Sequence, residues 1–370
     1  MKQNKPFHYD IVGSFLRPDI LKEARQKYKN NSITLDELRE IENQEITKLI
    51  LKQKELGLPF ITDGEFRRET WHLDFMWGFD GVEHKPTQQG IPFHGEPAMI
   101  DDTYLVGKIS VHHHPFIEHF QFVKQFEDEY TTAKQTIPSP AQFLFQMISG
   151  GNLESTLEIY PNKQDLMNDI ANGYKKVIQE LYQAGCRCLQ FDDCTWGVIV
   201  DPNACAILDT DEEGLQDIIN DFITINNLAM EDKPDDFIIN THICRGNFHS
   251  TWACSGGYDR VAKDLFAREN VHAFYLEYDD ERSGSFEALK YVSDDKHVVL
   301  GLITTKNPQL ENKDEIIARI HEASQYIPLE RLSLSPQCGF ASTEEGNKLS
   351  MQQQWDKIKL VKEIADEIWR

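Results

Sequence analysis

No stretch of this 370-residue chain approaches the roughly 20 consecutive apolar residues that a membrane-spanning helix needs. No membrane association is therefore expected. The polar start, residues 1–10, lacks the apolar core of a secretion signal, which makes a cytoplasmic protein the expectation. Positive charge is scarce: 38 Lys and Arg stand against 61 Asp and Glu, a net charge of −23 at pH 7. A nucleic-acid surface needs a basic footprint, so no nucleic-acid partner is expected. A small anionic substrate needs only local positive charge and stays open. The cysteines number seven, an odd count spread through the chain. That pattern argues against a disulfide framework and for free thiols or metal ligands. Short repeats and low-complexity linkers are absent. So are the phosphate-binding fingerprints of open sheets, a G-x-G-x-x-G after the first apolar run or a P-loop.

What is present is enough apolar side chain, 40% of residues, to bury a large core. Short apolar runs ending in polar residues alternate with segments of helical period. Strands are expected at residues 9–15, 60–65, 134–138, 188–193, 237–244, 273–278, 297–304 and 332–336. Helices are expected at 35–56, 163–184, 212–230, 258–269, 285–292, 313–326 and 352–369. The irregular stretch 71–132 reads as an excursion containing a hairpin, 104–111 paired with 116–124. Eight such units give an α/β protein: a (β/α)8 TIM barrel with a long β-hairpin excursion after strand 2, one domain over 1–370. In that architecture the chemistry sits at the C-terminal ends of the strands.

The fifth strand ends in Thr241-His242-Ile243-Cys244. Residues two apart on a strand share a face, so His242 and Cys244 can offer a nitrogen and a sulfur to one ion. The sixth strand ends at Glu277, and Cys338 follows the eighth. A barrel gathers those ends around one axis. His, Cys, Glu and Cys make a donor set that suits Zn²⁺, and their dispersal fits a catalytic metal better than a structural staple. The first strand ends in Val12-Gly13-Ser14, where glycine permits close backbone approach and serine offers a hydroxyl and an amide. The second ends in Asp63-Gly64-Glu65, followed by Arg67 and Arg68, and the fourth in Asp192-Asp193. The run His112-His113-His114 invites a metal reading, but a solvated hairpin is the plainer one. Cys186, Cys188, Cys194, Cys205 and Cys254 read as buried free thiols.

Taken in order, Val-Gly-Ser-Phe, Asp-Gly-Glu, Gln-Phe-Asp-Asp, Thr-His-Ile-Cys and Pro-Gln-Cys-Gly-Phe resemble the catalytic C-terminal half of cobalamin-independent methionine synthase, over nearly the whole chain from Tyr9. The resemblance implies a short, single-barrel S-methyltransferase. It implies Zn²⁺ at His242, Cys244, Glu277 and Cys338. It implies homocysteine or methionine held at Val12, Ser14, Glu65 and Asp192, and a methyl-folate donor. Three features depart from the family, one being the aromatic folate platform after the third strand, where Pro138-Ser139-Pro140-Ala141-Gln142 leads into Phe143 and Phe145 without a clear match. Lys306 stands where the family carries a proton-donating histidine, and Val198 where it carries an acidic folate contact. The sulfur-binding half thus matches better than the donor half. That keeps a second reading in view, alkyl transfer between another thiol and a different donor, and a third, a barrel whose zinc is only structural.

Overall fold

The computed structural model describes residues 8–87 and 90–369, so residues 1–7 of the polar start lie outside it. Nine strands are present among the described residues: β1 (Phe60–Ile61), β2 (Asp80–Lys85), β3 (Asp102–Ser110), β4 (Thr132–Pro138), β5 (Cys188–Asp192), β6 (Ile238–Ile243), β7 (Ala273–Glu277), β8 (His297–Ile303) and β9 (Leu332–Pro336). Seven form one parallel sheet in the order β1-β4-β5-β6-β7-β8-β9. Every residue of β5, β7 and β9 is buried. A parallel sheet covered on both faces selects apolar runs, clearest at 298–303 in β8, whereas β5 keeps Gln190 and Asp192, and β9 Ser333 and Ser335, buried among apolar neighbours.

The sheet curls until its edges approach each other. Tyr9 makes a single parallel bridge to Leu334 of β9, and the Asp10 N–H donates to the Leu334 carbonyl at 3.1 Å. At the other edge the Thr62 hydroxyl donates to the Gly13 carbonyl at 2.8 Å, and the Phe15 N–H to the Gly64 carbonyl at 3.1 Å. Residues 9–15 therefore span the gap between β9 and β1 as a bridge rather than as the expected strand. A Cβ on Gly13 would meet Thr136 Cγ2 at 2.7 Å, so the chain crosses there in direct contact with β4. The result is a TIM-like α/β fold.

The outer helices follow the apolar periodicity. Leu35–Glu55 starts at a capping box of Thr34 and Glu37, and Met351–Ile368 at one of Ser350 and Gln353. Lys163–Gln183, Glu212–Met230 and Lys313–Ala323 stand where expected. The expected helix at 285–292 is a 3-10 segment, Phe286–Tyr291, and that at 258–269 divides into a 3-10 turn, Tyr258–Arg260, and a helix, Ala262–Arg268.

The expected hairpin is corrected. Residues Phe116–Lys124 form a helix, not a strand. Phe116, Ile117, Phe120 and Val123 are buried at helical spacing, and Pro115 precedes the first turn. β3 pairs instead with β2, antiparallel, in a two-stranded sheet beside the barrel. His114 is fully buried there, with Nε2 at 2.9 Å from the Phe75 carbonyl, and burial lowers its pKa to about 4. His112 and His113 are exposed beside Asp80 and Glu180, so the three histidines do not converge.

A buried polar chain runs up the barrel axis. Lys134 on β4 is 2% exposed; its ammonium donates to Asp10 Oδ2 at 2.7 Å, to the Ile11 carbonyl and to Gln190 Oε1 at 3.2 Å. The Tyr275 hydroxyl donates to the same Asp10 oxygen at 2.7 Å. Gln190 on β5 continues upward, donating to the Val12 carbonyl and to Asp192 Oδ1, both at 2.8 Å.

Candidate metal and substrate site

At the C-terminal ends of the strands, one nitrogen and two sulfurs converge. The ligand atoms of His242, Cys244 and Cys338 lie within 4.8 Å of one another, and all three residues are buried. His242 and Cys244 share a face because β6 alternates, with Ile243 turned the other way into the apolar core. Cys338 arrives from the turn after β9. Among the described residues this is the one cluster of its kind.

His242 is fixed from behind. Its Nδ1 lies 2.9 Å from Asp192 Oδ1, and its Nε2 lies 3.2 Å from the Gln337 carbonyl. Burial works to lower its pKa, but Asp192 and the neighbouring Cys244 outweigh that and raise it to about 9. Hydrogen bonds from Cys194 and Cys338 hold the Cys244 thiol well below the ordinary thiol range. With Nδ1 committed to a carboxylate, Nε2 is the nitrogen a metal would take in place of its contact with the Gln337 carbonyl, the arrangement in which an outer carboxylate orients a histidine ligand. Asp192→Asn is therefore expected to weaken metal binding about 10- to 100-fold, as losses of such outer partners do. A competition titration against a chelating dye measures this; an unchanged affinity would show that Asp192 does not orient His242.

Glu277, the fourth residue of the expected set, does not fall within the 4.8 Å cluster. It is fully buried behind Cys244, and its carboxylate is already engaged. Oε2 accepts from the Arg245 N–H at 2.7 Å, and Oε1 from Arg282 at 3.1 Å and Lys306 at 3.3 Å. Lys306 also pairs with Asp279 at 2.9 Å and does not line the cavity above the cluster.

That cavity, about 1130 Å³, has the cluster on its floor. Val12, Ser14, Glu65 and Asp192 all line it, so the four residues expected to hold an amino acid meet around one space. Asp193 does not join them. It turns to the outside of β5, fully buried against Asn226, and burial raises its pKa. Glu65 is held by the Thr136 hydroxyl at 2.9 Å and Arg68 at 3.3 Å, while its second oxygen, Oε2, has no partner among the described residues. Burial raises its pKa in spite of Arg68.

Two buried atoms on the cavity wall are in the same position: His72 Nδ1 and Gln142 Oε1. Burial lowers the His72 pKa to about 3, so its ring is neutral. Buried polar atoms left without partners in a cavity point to a ligand that supplies them. Neither residue carries a recognisable motif, so sequence reasoning passed over both. Cys194, read from the sequence as a buried free thiol, is only partly buried, and its sulfur lies 3.2 Å from that of Cys244. Its signal lay in the strand pairing, which only the fold supplies.

The cavity has two kinds of lining. The floor comes from the strand ends, and much of the wall comes from residues 85–152, with Pro86, Phe93, Tyr104 and Phe145 among them.

The family profile described as "Cobalamin-independent synthase, Catalytic domain" matches residues 8–82 and 154–365. The chain is 46% identical over its full length to an uncharacterised Bacillus subtilis protein, YxjH, covering 97% of that protein. It is 23% identical to the methionine synthase of Saccharolobus solfataricus, over 97% of this chain and 95% of that one. Among solved structures it resembles a putative vitamin-B12-independent methionine synthase from Listeria monocytogenes, with 38% identity, a TM-score of 0.78 and full coverage of both chains. A B12-independent methionine synthase from a Shewanella species, solved with selenomethionine, has the same fold: 19% identity, TM-score 0.72, covering 98% of this chain and 97% of that one.

Proposed function

Because this chain belongs to the family of cobalamin-independent synthase catalytic domains, we propose that it is a zinc-dependent S-methyltransferase that methylates the thiol of homocysteine to give methionine, with a methyl-folate as donor. The observation that carries the reading is the buried His242, Cys244 and Cys338 cluster on the floor of a cavity that Glu65 also lines. One imidazole and two thiols fit Zn²⁺ better than a hard cation, and they leave a fourth position for Glu277 or a substrate sulfur. On this reading residues 9–15 are the eighth stave of a single closed (β/α)8 barrel spanning 1–370.

Zinc bound there would supply one thing, a substrate thiol held as thiolate at neutral pH. The protein does the rest. Asp192 fixes the His242 ring. Glu277 would be the fourth residue to hold the metal, and Lys306 and Arg282 hold its carboxylate; Lys306 acts through Glu277 rather than by meeting the donor. The open Glu65 oxygen takes the substrate ammonium, and Ser14 offers its hydroxyl and amide to the carboxylate end. His72 and Gln142 face the methyl donor. The sulfur–methyl bond forms as the donor's nitrogen–methyl bond breaks, and the donor nitrogen takes up the proton. Holding sulfur and methyl group in line supplies much of the acceleration.

X-ray absorption at the zinc edge tests the reading. Added homocysteine is expected to raise the count of sulfur neighbours by one, with release of a proton. An unchanged sulfur count would mark the zinc as structural. One observation favours a different donor as the second reading: Asp101 and Asp102 line the wall, and of the cations among the described lining residues, Lys85 and Arg245, the second is already engaged by the Gly256 carbonyl and Glu277. A polyanionic glutamate tail finds little countercharge there. An assay of homocysteine with donors bearing one glutamate, three glutamates or none separates the two.

A further inference from the structure

We propose that Cys194 and Cys244 are an oxidisable pair: peroxide joins them in a disulfide that removes one sulfur from the metal cluster. Their sulfurs lie 3.2 Å apart. The backbone brings them together as well. Asp192 and His242 are register partners on the adjacent strands β5 and β6, and the Asp193 N–H carries the pairing one step further, to the His242 carbonyl at 2.8 Å. Cys194 and Cys244 occupy the next level. Both cysteines lie just past their strands, Cys194 with helical φ −80° and ψ −6°, so the 3.2 Å between their sulfurs, rather than strand spacing, is what brings a disulfide within reach.

The short helix Thr195–Val200 that follows Cys194 is clamped onto Cys244. A Cβ on Gly197 would stand 2.5 Å from the Cys244 carbonyl oxygen, so this turn cannot drift away without opening a contact that only glycine permits. Both thiols line the large cavity, which admits a small oxidant. Cys338 is the competing partner for Cys244, but it follows β9, three strands from β6 in the sheet. No strand pairing sets its backbone beside that of Cys244.

The chemistry balances with hydrogen peroxide as oxidant. One sulfur attacks a peroxide oxygen, the O–O bond breaks, and a sulfenic acid and one water result. The second sulfur then displaces the sulfenic hydroxyl, forming the S–S bond and releasing a second water. Two thiols lose two electrons and two protons, and the peroxide is reduced to two waters. A thiol reductant reverses the bond by exchange.

The test exposes the full-length protein to hydrogen peroxide, alkylates the remaining thiols, maps the peptides and measures zinc content in the same samples. The expected result is a Cys194–Cys244 linked peptide, zinc lost in proportion to it, and both changes undone by dithiothreitol. In Cys194→Ser, no linked peptide through Cys244 is expected. The zinc arm rests on the metal reading above, whereas the peptide map does not, so the two fail separately. Absence of the link, or Cys244 joined to Cys338 or Cys254, overturns the pair. A complete link with full zinc retention overturns its effect on the cluster. The wild-type map decides the matter even if the serine variant fails to fold.

Discussion

Cys244→Ser and Cys338→Ser are each expected to lower zinc affinity by on the order of a hundredfold or more, beyond the 10- to 100-fold typical of outer partners, because a ligand itself is lost. Serine keeps the shape but not the chemistry. A thiol ionises readily under a metal and binds as soft thiolate, whereas a hydroxyl at neutral pH stays protonated and hard. His242, a single remaining sulfur and Glu277, whose carboxylate is shared with Arg245, Arg282 and Lys306, make a poor match for the ion against a chelator. The barrel itself should survive, because Cys244 and Cys338 stand at the ends of their strands, outside the large apolar core cluster. Metal analysis after dialysis against a chelator, with far-ultraviolet circular dichroism on the same samples, checks both halves. Methyl transfer to homocysteine should fall with the metal. Full zinc retention in both variants would remove the cluster from the mechanism.

Lys134→Met is expected to cost about 3–5 kcal/mol of folding stability, the range for removing one partner of a buried ion pair. The ammonium is buried among Asp10, the Ile11 carbonyl and Gln190. Methionine fills its volume but leaves the Asp10 carboxylate buried, with only the Tyr275 hydroxyl and the Ile11 N–H as donors. The penalty is thus that of a charge left unpaired, not of a cavity. Adding Asp10→Asn should recover part of it, since the double variant buries no net charge. Urea unfolding of the three variants beside the wild type measures the series. A loss under about 1 kcal/mol in Lys134→Met would place this pair with exposed bridges, whose median worth is that small.

The strands at the heart of the sheet were legible because burial on both faces favours short apolar-rich runs, as at 298–303 in β8 and 273–276 in β7. The long helices were legible from periodicity and caps, as with Thr34 and Glu37. What misled was the excursion. Residues 116–124 are apolar enough for a strand, and only the spacing of Phe116, Phe120 and Val123 reveals the helix. The first strand was overstated because residues 10–15 meet the sheet through scattered hydrogen bonds rather than a ladder. At the site, the strand-end rule found His242, Cys244 and Cys338 because chemistry and alternation agree there. It could not show that Asp192 reaches back to His242, that Glu277 is held by three donors, or that Cys194 lies against Cys244. Each of those depends on which strands are neighbours, and strand order is a property of the closed fold rather than of any local window.

The wall that residues 85–152 build around the cavity falls in the interval, 83–153, that the family profile leaves unmatched, whereas the metal cluster lies inside the matched segments. On the proposed reading, the two substrates are served by different pieces of chain. The thiol is gripped by a floor that any change of strand end would ruin. The alkyl donor is met by wall residues such as Phe93, Tyr104 and Phe145, which can be exchanged without touching His242, Cys244 or Cys338. Such a barrel can be refitted to a new donor while continuing to activate the same sulfur, much as a tool keeps its handle and changes its bit.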